Sequence, residues 1–391
     1  MKQGWKIQTL GDVATFINGD RSTNYPSKKD YVIDGIPFVN AGNLIQAGLD
    51  LESLNLISQN KYDSLTQGKF VEGDILFCLR GTLGKHSIVQ NGLNGAIASS
   101  LVIIRTKDGF NNKYISYFLD YKQPYIERLN NGAAQPNIPA KTMKGFPILL
   151  PPNEKQQQSI VDFLDSAFSK IDAIKKNAEK QLAEARALFQ SALNQAMQPK
   201  PCWQEYKIME IGEVIGGTTP NTNNPNYWGG NICWISPAEL HGEKYLYDSV
   251  KKITEDAVKA KSLKQLPIGT VILSSRAPIG KVAINKVPMY CNQGFKCIVC
   301  GPKIFNEFLY WWLWGNTAYL NSIGTGATFA EISKTVVQNI RIHIPLKSEQ
   351  EIIADRLDKY YNFVHRLEVI HNKTISECDA LKQALLRQIF E

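Results

Sequence analysis

The chain has 391 residues, 43% of them hydrophobic and 20% charged, with a formal net charge of +8. That length allows two or three domains with real cores, and the composition excludes a disordered, collagenous or disulfide-stapled chain. No run of roughly 18 apolar residues occurs, which excludes a membrane-spanning helix of the usual kind, while the moderate positive balance suits a nucleic-acid partner without demanding one.

The opening, MKQGWKIQTLGDV, reads directly as folded sequence without a leader, so a cytoplasmic protein is expected. The first block begins at Trp5 and runs through Gly11, Asp12 and Val13 into a segment dense in turn residues, 18–30. A short strand-like run follows at Ile36 to Asn40. Next comes a strand–turn–strand pattern from Glu72 to Lys85, with Arg80 at the strand end and Gly84-Lys85 leaving the turn. Leu101 to Ile104 reads as strand, Tyr114 to Leu119 as an aromatic helix, and a last strand closes at Pro151.

Glu154 to Gln198 then contains neither Pro nor Gly. Leu164, Ile171, Ile174, Ala178, Leu182, Ala185, Leu188 and Ala192 recur in steps of three and four, the stripe of a long amphipathic helix with a coiled-coil-like seam. Unbroken, it would be roughly 65 Å long. Pro151-Pro152 and Pro199 bound it.

The remainder repeats the first half. Trp203, Gly212, Glu213 and Val214 match the opening, and the turn-rich segment returns at 216–230. Ile232 to Ser236 matches Ile36 to Asn40, and Ile268 to Lys281 matches Glu72 to Lys85, with Arg276 and Gly280-Lys281 in place. Strand-like Cys297-Ile-Val and an aromatic helix, Phe305 to Trp314, follow in the same order. Gly326 to Ile332 answers Gly132 to Ile138, and a second Pro- and Gly-free stretch, Glu349 to Glu391, answers the first long helix. A period of roughly 195 residues is far too long for a solenoid.

The expected fold is therefore α+β with an internal pseudo-twofold repeat: two similar α/β blocks joined and separated by two long antiparallel helices. The segments are 1–150, 151–198 (first long helix), 199–345 and 346–391 (second long helix).

No catalytic constellation emerges. Asn224-Pro-Asn-Tyr227 falls one residue short of the Asn-Pro-Pro-Tyr loop of amino-methyltransferases, and the Gly-rich strand–loop–helix for S-adenosylmethionine is missing. Gly84-Lys85 and Gly280-Lys281 lack the upstream Gly of a phosphate-binding loop. No strand carries clustered carboxylates with a Lys, as a metal-dependent nuclease would need. The five His are dispersed, and Cys297-Ile-Val-Cys300, in a strand-like run that turns residues three apart to opposite faces, has no second ligand pair to complete a zinc site. The seven scattered cysteines suggest no disulfide framework. No catalytic, cofactor or metal residue is assigned.

What the loops do supply is readout chemistry, since Arg pairs with guanine, Asn and Gln with adenine, and Lys, Ser and Thr hold phosphates. The candidates sit at matching places in both blocks. They are Asn18, Arg21, Ser22 and Asn24 against Thr218, Thr219, Asn221 and Asn223; Arg80 and Lys85 against Arg276 and Lys281; and Gln135 and Asn137 against Thr328 and Glu331. Any one of them is equally at home in a solvated loop, and a strand-end Arg often bridges only its own fold. Their doubled occurrence is the signal.

The whole pattern resembles the specificity subunit of type I restriction–modification systems. The resemblance is carried by the two Trp…Gly-Asp/Glu-Val openings, by Gly216 to Pro220, by the Gly73 to Lys85 turn, and by Pro151, Pro152, Glu154 and Gln156 with Ser348-Glu349-Gln350 at the helix starts. Residues 18–23, Asn-Gly-Asp-Arg-Ser-Thr, depart from the Gly-Gly-Thr-x-Pro of the second block, so the two blocks should read different bases. The resemblance implies a non-catalytic, cytoplasmic, DNA-binding chain with two target recognition domains, each reading half of a bipartite asymmetric site. The coiled coil would set the spacing and dock two modification subunits, alongside two restriction subunits. S-adenosylmethionine, ATP and magnesium would belong to those partners, not to this chain. The alternatives are the specificity portion of a single-chain restriction–methyltransferase, and a coiled-coil scaffold with no nucleic-acid role.

Overall fold

The computed structural model describes residues 4–45, 48–90, 92–129, 137–326 and 330–391. The chain forms two compact units, Met1–Ala178 with Lys373–Glu391, and Glu179–Asn372. Both unit boundaries fall inside the long helices, Glu154–Met197 and Lys347–Phe390, so each unit contains part of both.

The units share one central strand order, while among the described residues the second sheet has five strands in the first unit and three in the second. In the first, Lys6–Thr9 pairs antiparallel with Pro147–Leu150. Ala14–Asn18 then lies beside Leu101–Thr106, which pairs with Ile75–Cys78 and, through it, His86–Ile88. In the second, Gln204–Lys207 pairs with Arg341–Ile344, and the order Gly212–Gly216, Phe295–Cys300, Val271–Ser274, Val282–Asn285 reproduces that four-stranded order, with Tyr245–Leu246 added beside Val282–Asn285. The register is also kept: Val102 lies opposite Asn18 and Lys296 opposite Gly216. The inner strands are β-branched, aromatic and buried on both faces, as the centre of a covered sheet must be. The aromatic helices are Asn112–Arg128 and Asn306–Gly315.

Each aromatic helix lies between its sheet and the long helices. In the first unit Tyr114, Phe118, Val161, Leu164, Leu386, Ile389 and Phe390 share one core with Ile75 and Phe77. In the second, Phe189, Leu193, Ala354 and Leu357 share one with Phe308, Trp311 and Val271. Ion pairs between the long helices confirm the antiparallel sense: Lys175–Asp379 at 2.7 Å and Lys382–Asp172 at 2.5 Å in the first unit, Arg186–Glu368 at 2.7 Å in the second.

Two residues assigned to the seam are not on it. Ile174 is 52% and Leu188 72% exposed, while Phe189 is buried against Trp311, Trp314 and Tyr361. A helix turns 3.6 residues per turn, so an alternation of three and four drifts, and the bulkier neighbour takes the core position.

An aspartate on each long helix receives the aromatic helix in a similar way. Asp165 accepts from Lys113 at 2.5 Å and from the Tyr117 hydroxyl at 2.5 Å. Asp358 accepts from Trp311 Nε1 at 2.9 Å and from Lys244. The start of each long helix carries a buried glutamine. Gln157 accepts from Asn111 N at 2.8 Å and donates to Gly109 O; Gln350 accepts from Phe305 N at 2.8 Å and donates to Lys303 O and Pro345 O, each at 2.9 Å. A single amide thereby satisfies backbone groups that the adjoining loop would otherwise bury unpaired.

Candidate nucleic-acid interface

The turn-rich segments that follow Asn18 and Gly216 meet the turn before the long central strand; that turn bonds to the strand-end turn holding Arg80 or Arg276, which bonds in its turn to the segment holding Asn137 or Glu331. A glycine makes the approach possible. A Cβ on Gly19 would lie 2.6 Å from the Ala98 carbonyl oxygen, and one on Gly217 would collide with that of Asn292. Only Gly lets the two backbones touch.

In the first unit Asp20 is buried and organises the loop. It accepts from Ser22 N at 2.6 Å, from Thr66 N at 2.7 Å and from the Thr66 hydroxyl at 2.9 Å. Burial alone would raise its carboxyl, but the bonds from Ser22 and Thr66 hold it well below the usual aspartate range. Ser22 is therefore part of a turn, its hydroxyl accepting from Asn24 N, and the Asn24 amide donates to Ser64 O at 2.9 Å. Asn18 and Arg21 are exposed, and Arg21 donates to Ser99 O at 3.4 Å. Arg80, also exposed, donates through Nε to Asn137 Oδ1 at 3.3 Å, a neutral partner that leaves the guanidinium charge intact.

The second unit fills the same frame differently. Arg276 Nε donates to Glu331 Oε2 at 2.9 Å, and the buried Lys296 donates to Glu331 Oε1 at 3.1 Å and to the Ser275 hydroxyl at 3.1 Å. Burial pushes the Glu331 carboxyl up, but Lys296 and Arg276 together hold it low. Arg80–Asn137 and Arg276–Glu331 are the same isolated bridge between the same segments. Thr218 N donates to Cys291 O at 2.9 Å, and Thr218 O accepts from Trp234 Nε1 at 3.1 Å. The Thr219 hydroxyl accepts from Asn292 Nδ2 at 2.8 Å and donates to Gln293 Oε1. Asn221 and Asn223 are exposed, with Asn221 Oδ1 accepting from Asn223 N at 3.1 Å.

Lys85 and Lys281 each bond to a backbone carbonyl of their own unit. Lys85 Nζ donates to Ala41 O at 3.2 Å and Lys281 Nζ to Leu240 O at 2.7 Å, matching turns of the two units. Both are half-buried and tie the Gly-Lys turn to its neighbour. Gln135 and Thr328 lie outside the described residues. Asn18, Arg21, Arg80 and Asn137 are thus gathered in one unit, and Thr218, Thr219 and Arg276 in the other. Lys296, Asn292 and Gln293 are polar members that sequence reasoning missed. Lys296 stands in a strand where the repeat has Val102, and that mismatch was the available signal. Among the described residues no group of three or more His, Cys, Asp or Glu could hold a metal ion, and no helix is long and apolar enough to cross a membrane.

Comparison with known proteins gives the family of this doubled fold. The sequence profile for the type I restriction modification DNA specificity domain matches residues 2–184 and again 202–376. The chain belongs to this family and carries the domain twice. It is 42% identical over 166 residues to the MjaIX specificity subunit of Methanocaldococcus jannaschii, covering 41% of this chain and 38% of that one. It is 28% identical over 266 residues to the EcoR124I/EcoR124II specificity subunit of Escherichia coli, covering 63% of each. These two matches therefore span less than two thirds of the relatives' own length; the putative MjaX specificity subunit matches at 22% identity over 91% of this chain and 86% of its own length. Among solved structures, a chain from work on assembly and conformational transition of the type I restriction–modification system has a TM-score of 0.82 at 19% identity, covering 100% of this chain and 98% of its own. The HsdS subunit of Thermoanaerobacter tengcongensis has a TM-score of 0.59 at 17% identity, covering 100% and 97%. Those two likenesses are of fold.

Proposed function

We propose that this chain reads a bipartite, asymmetric DNA site for a type I restriction–modification complex, each unit's strand-end turn reading one half. The observation that carries the proposal is the same polar turn built twice on one backbone frame with different side chains. One frame with two contact sets suits one mode of docking and two target sequences.

The long helices set the spacing between half-sites, and their outer faces dock two modification subunits. Two restriction subunits complete the complex, and those partners use the S-adenosylmethionine, ATP and magnesium. An apolar groove of about 500 Å³ lined by Leu188, Tyr360, Phe363 and Leu367 on the helices of the second unit supports a docking role.

The test is to map methylated motifs in a host with and without this gene. A bipartite motif that vanishes on deletion is expected; an unchanged set of motifs refutes the proposal. Inserting four residues after Ala178 and four after His371 should lengthen the spacer and leave both half-sites intact. An unchanged spacer would remove the helices from the measurement.

A further inference from the structure

The second unit holds a side-chain amide whose orientation is set before any ligand arrives. Asn292 N donates to Ile235 O at 2.9 Å and Ser275 N donates to Gly294 O at 2.8 Å. The corresponding bonds in the first unit are Ala98 N to Val39 O at 2.8 Å and Leu79 N to Ser100 O at 2.9 Å. Gln293 therefore stands where Ser99 stands, one residue beyond the carbonyl that Gly217 or Gly19 approaches. Across from it, two residues after that glycine, stand Thr219 and Arg21. In the first unit the long side chain comes from one side, Arg21 reaching the Ser99 carbonyl. In the second it comes from the other, Gln293 meeting the Thr219 hydroxyl. Both units thus place one exposed, planar, polar group at the same point of the frame.

The bonds around Gln293 start from a backbone donor. Gly294 N can only donate, and it does so to Asn292 Oδ1 at 2.7 Å, so the opposite end of that amide is Nδ2. Nδ2 donates to Thr219 Oγ1 at 2.8 Å, and the Thr219 hydroxyl donates to Gln293 Oε1. The relay leaves Gln293 one lone pair on Oε1 and both protons on Nε2, an acceptor and a donor side by side on an exposed edge. That is the complement of adenine in the major groove, whose N6 donates and N7 accepts. Arg21 offers donors alone, the complement of guanine O6 and N7.

We propose that Gln293 is a base-reading residue of the second unit and takes the N6/N7 edge of an adenine, at the position where Arg21 takes a guanine in the first. The assignment rests on the DNA-reading function above. Pre-orientation by Asn292 and Thr219 reduces the ordering cost of the contact.

The experiment is the methylation motif and duplex affinity of the full chain co-expressed with the host's own modification subunits. Gln293→Glu keeps an acceptor for Thr219 and loses both donors. It is expected to abolish the preference for adenine at one position of one half-site and to weaken the cognate duplex about tenfold or more. Gln293→Arg should favour guanine at that position, and Arg21→Gln should change the other half-site only. Wild-type motif and affinity retained by both Gln293→Glu and Gln293→Ala would overturn the assignment while leaving the half-site function standing. A wild-type complex that methylates no bipartite motif would overturn both. Circular dichroism melting of each variant separates lost contact from lost fold, and a Gln293→Glu chain that melts as wild type yet keeps adenine refutes the assignment.

Discussion

Arg80 and Arg276 occupy one position in two copies of a frame, yet their charges face different fates. Arg80 leans on a neutral Asn137 amide and keeps its full charge at the surface. Arg276 gives much of its charge to Glu331, which Lys296 shares from the sheet beneath. Similarly, Gly73-Asp74 and Gly269-Thr270 begin the same strand, but Asp74 is held by an Arg105 fork at 2.8 and 2.7 Å. Thr270 N instead donates to Asn285 Oδ1 at 2.7 Å, and the buried Asn285 donates to three backbone carbonyls. The backbone path is what the two units have in common, and the polar chemistry that fastens it is free to change. A surface built on such a frame can acquire a new specificity without a new fold.

The largest effect should come where the two units agree. Gln350→Ala leaves a backbone donor and two carbonyls unpaired and should cost about 3 kcal/mol, with Gln157→Ala costing about 2 kcal/mol. Six of the seven tryptophans belong to the second unit, so urea unfolding followed by fluorescence reports Gln350→Ala and far-ultraviolet circular dichroism reports both. Equal, negligible shifts would remove the glutamines from the common frame. Next comes a change confined to one unit: Asp74→Asn breaks the fork and should destabilise the first unit by about 2 kcal/mol, leaving the fluorescence transition of the second unmoved.

The two arginines sharpen the contrast further. Arg80→Ala should weaken specific duplex binding by about 1–2 kcal/mol and reduce its salt dependence, while Arg276→Ala should do less of both. Equal losses would show that the Glu331 partner does not matter to binding.

The smallest effect is a pH dependence belonging to one loop. The Asp20 carboxyl is held below its unfolded value, so its stabilisation is complete above the ordinary aspartate pKa of about 3.9 and is lost as pH falls through the lowered folded value. Between pH 5 and 3 the first unit should lose about 1 kcal/mol from this group, and Asp20→Asn should abolish that component. A melting profile that Asp20→Asn leaves unchanged would deny Asp20 its organising role. The corresponding residue of the second unit, Thr218, has no carboxylate to titrate.

Much of this architecture is legible in the sequence because it is written twice. The long helix expected at Glu154 to Gln198 is Glu154–Met197, and the second, expected from Glu349, begins at Lys347. What periodicity does not reveal is a polar residue on an apolar face. The helix-start pattern contains Gln156, which is exposed, whereas its neighbour Gln157 is buried at the loop. One step along a helix is a rotation of about 100°, and only the packed loop tells the two glutamines apart. The interface shows a similar limit. Arg21 and Arg80 stand out by residue type, but Gln293 acquires its meaning from Thr219, which lies far away in sequence and is brought to it by the close approach at Gly217.

Asp165 and Asp358 carry a consequence for how such chains can be recombined. Both long helices offer one carboxylate to the domain that packs on them. The first domain answers with Lys113 and a tyrosine hydroxyl, the second with Lys244 and an indole N–H. The lysines come from different elements, and where the first domain has Lys113 on its aromatic helix the second has Glu307, itself 3.5 Å from Lys244. Transplanting only the aromatic helix would set Glu307 against a carboxylate without the lysine that accompanies it. Transplanting a whole domain brings a complete answer to the same socket. Crossovers that preserve folding should therefore fall at the edges of the domains, where a parent's full set of partners travels together.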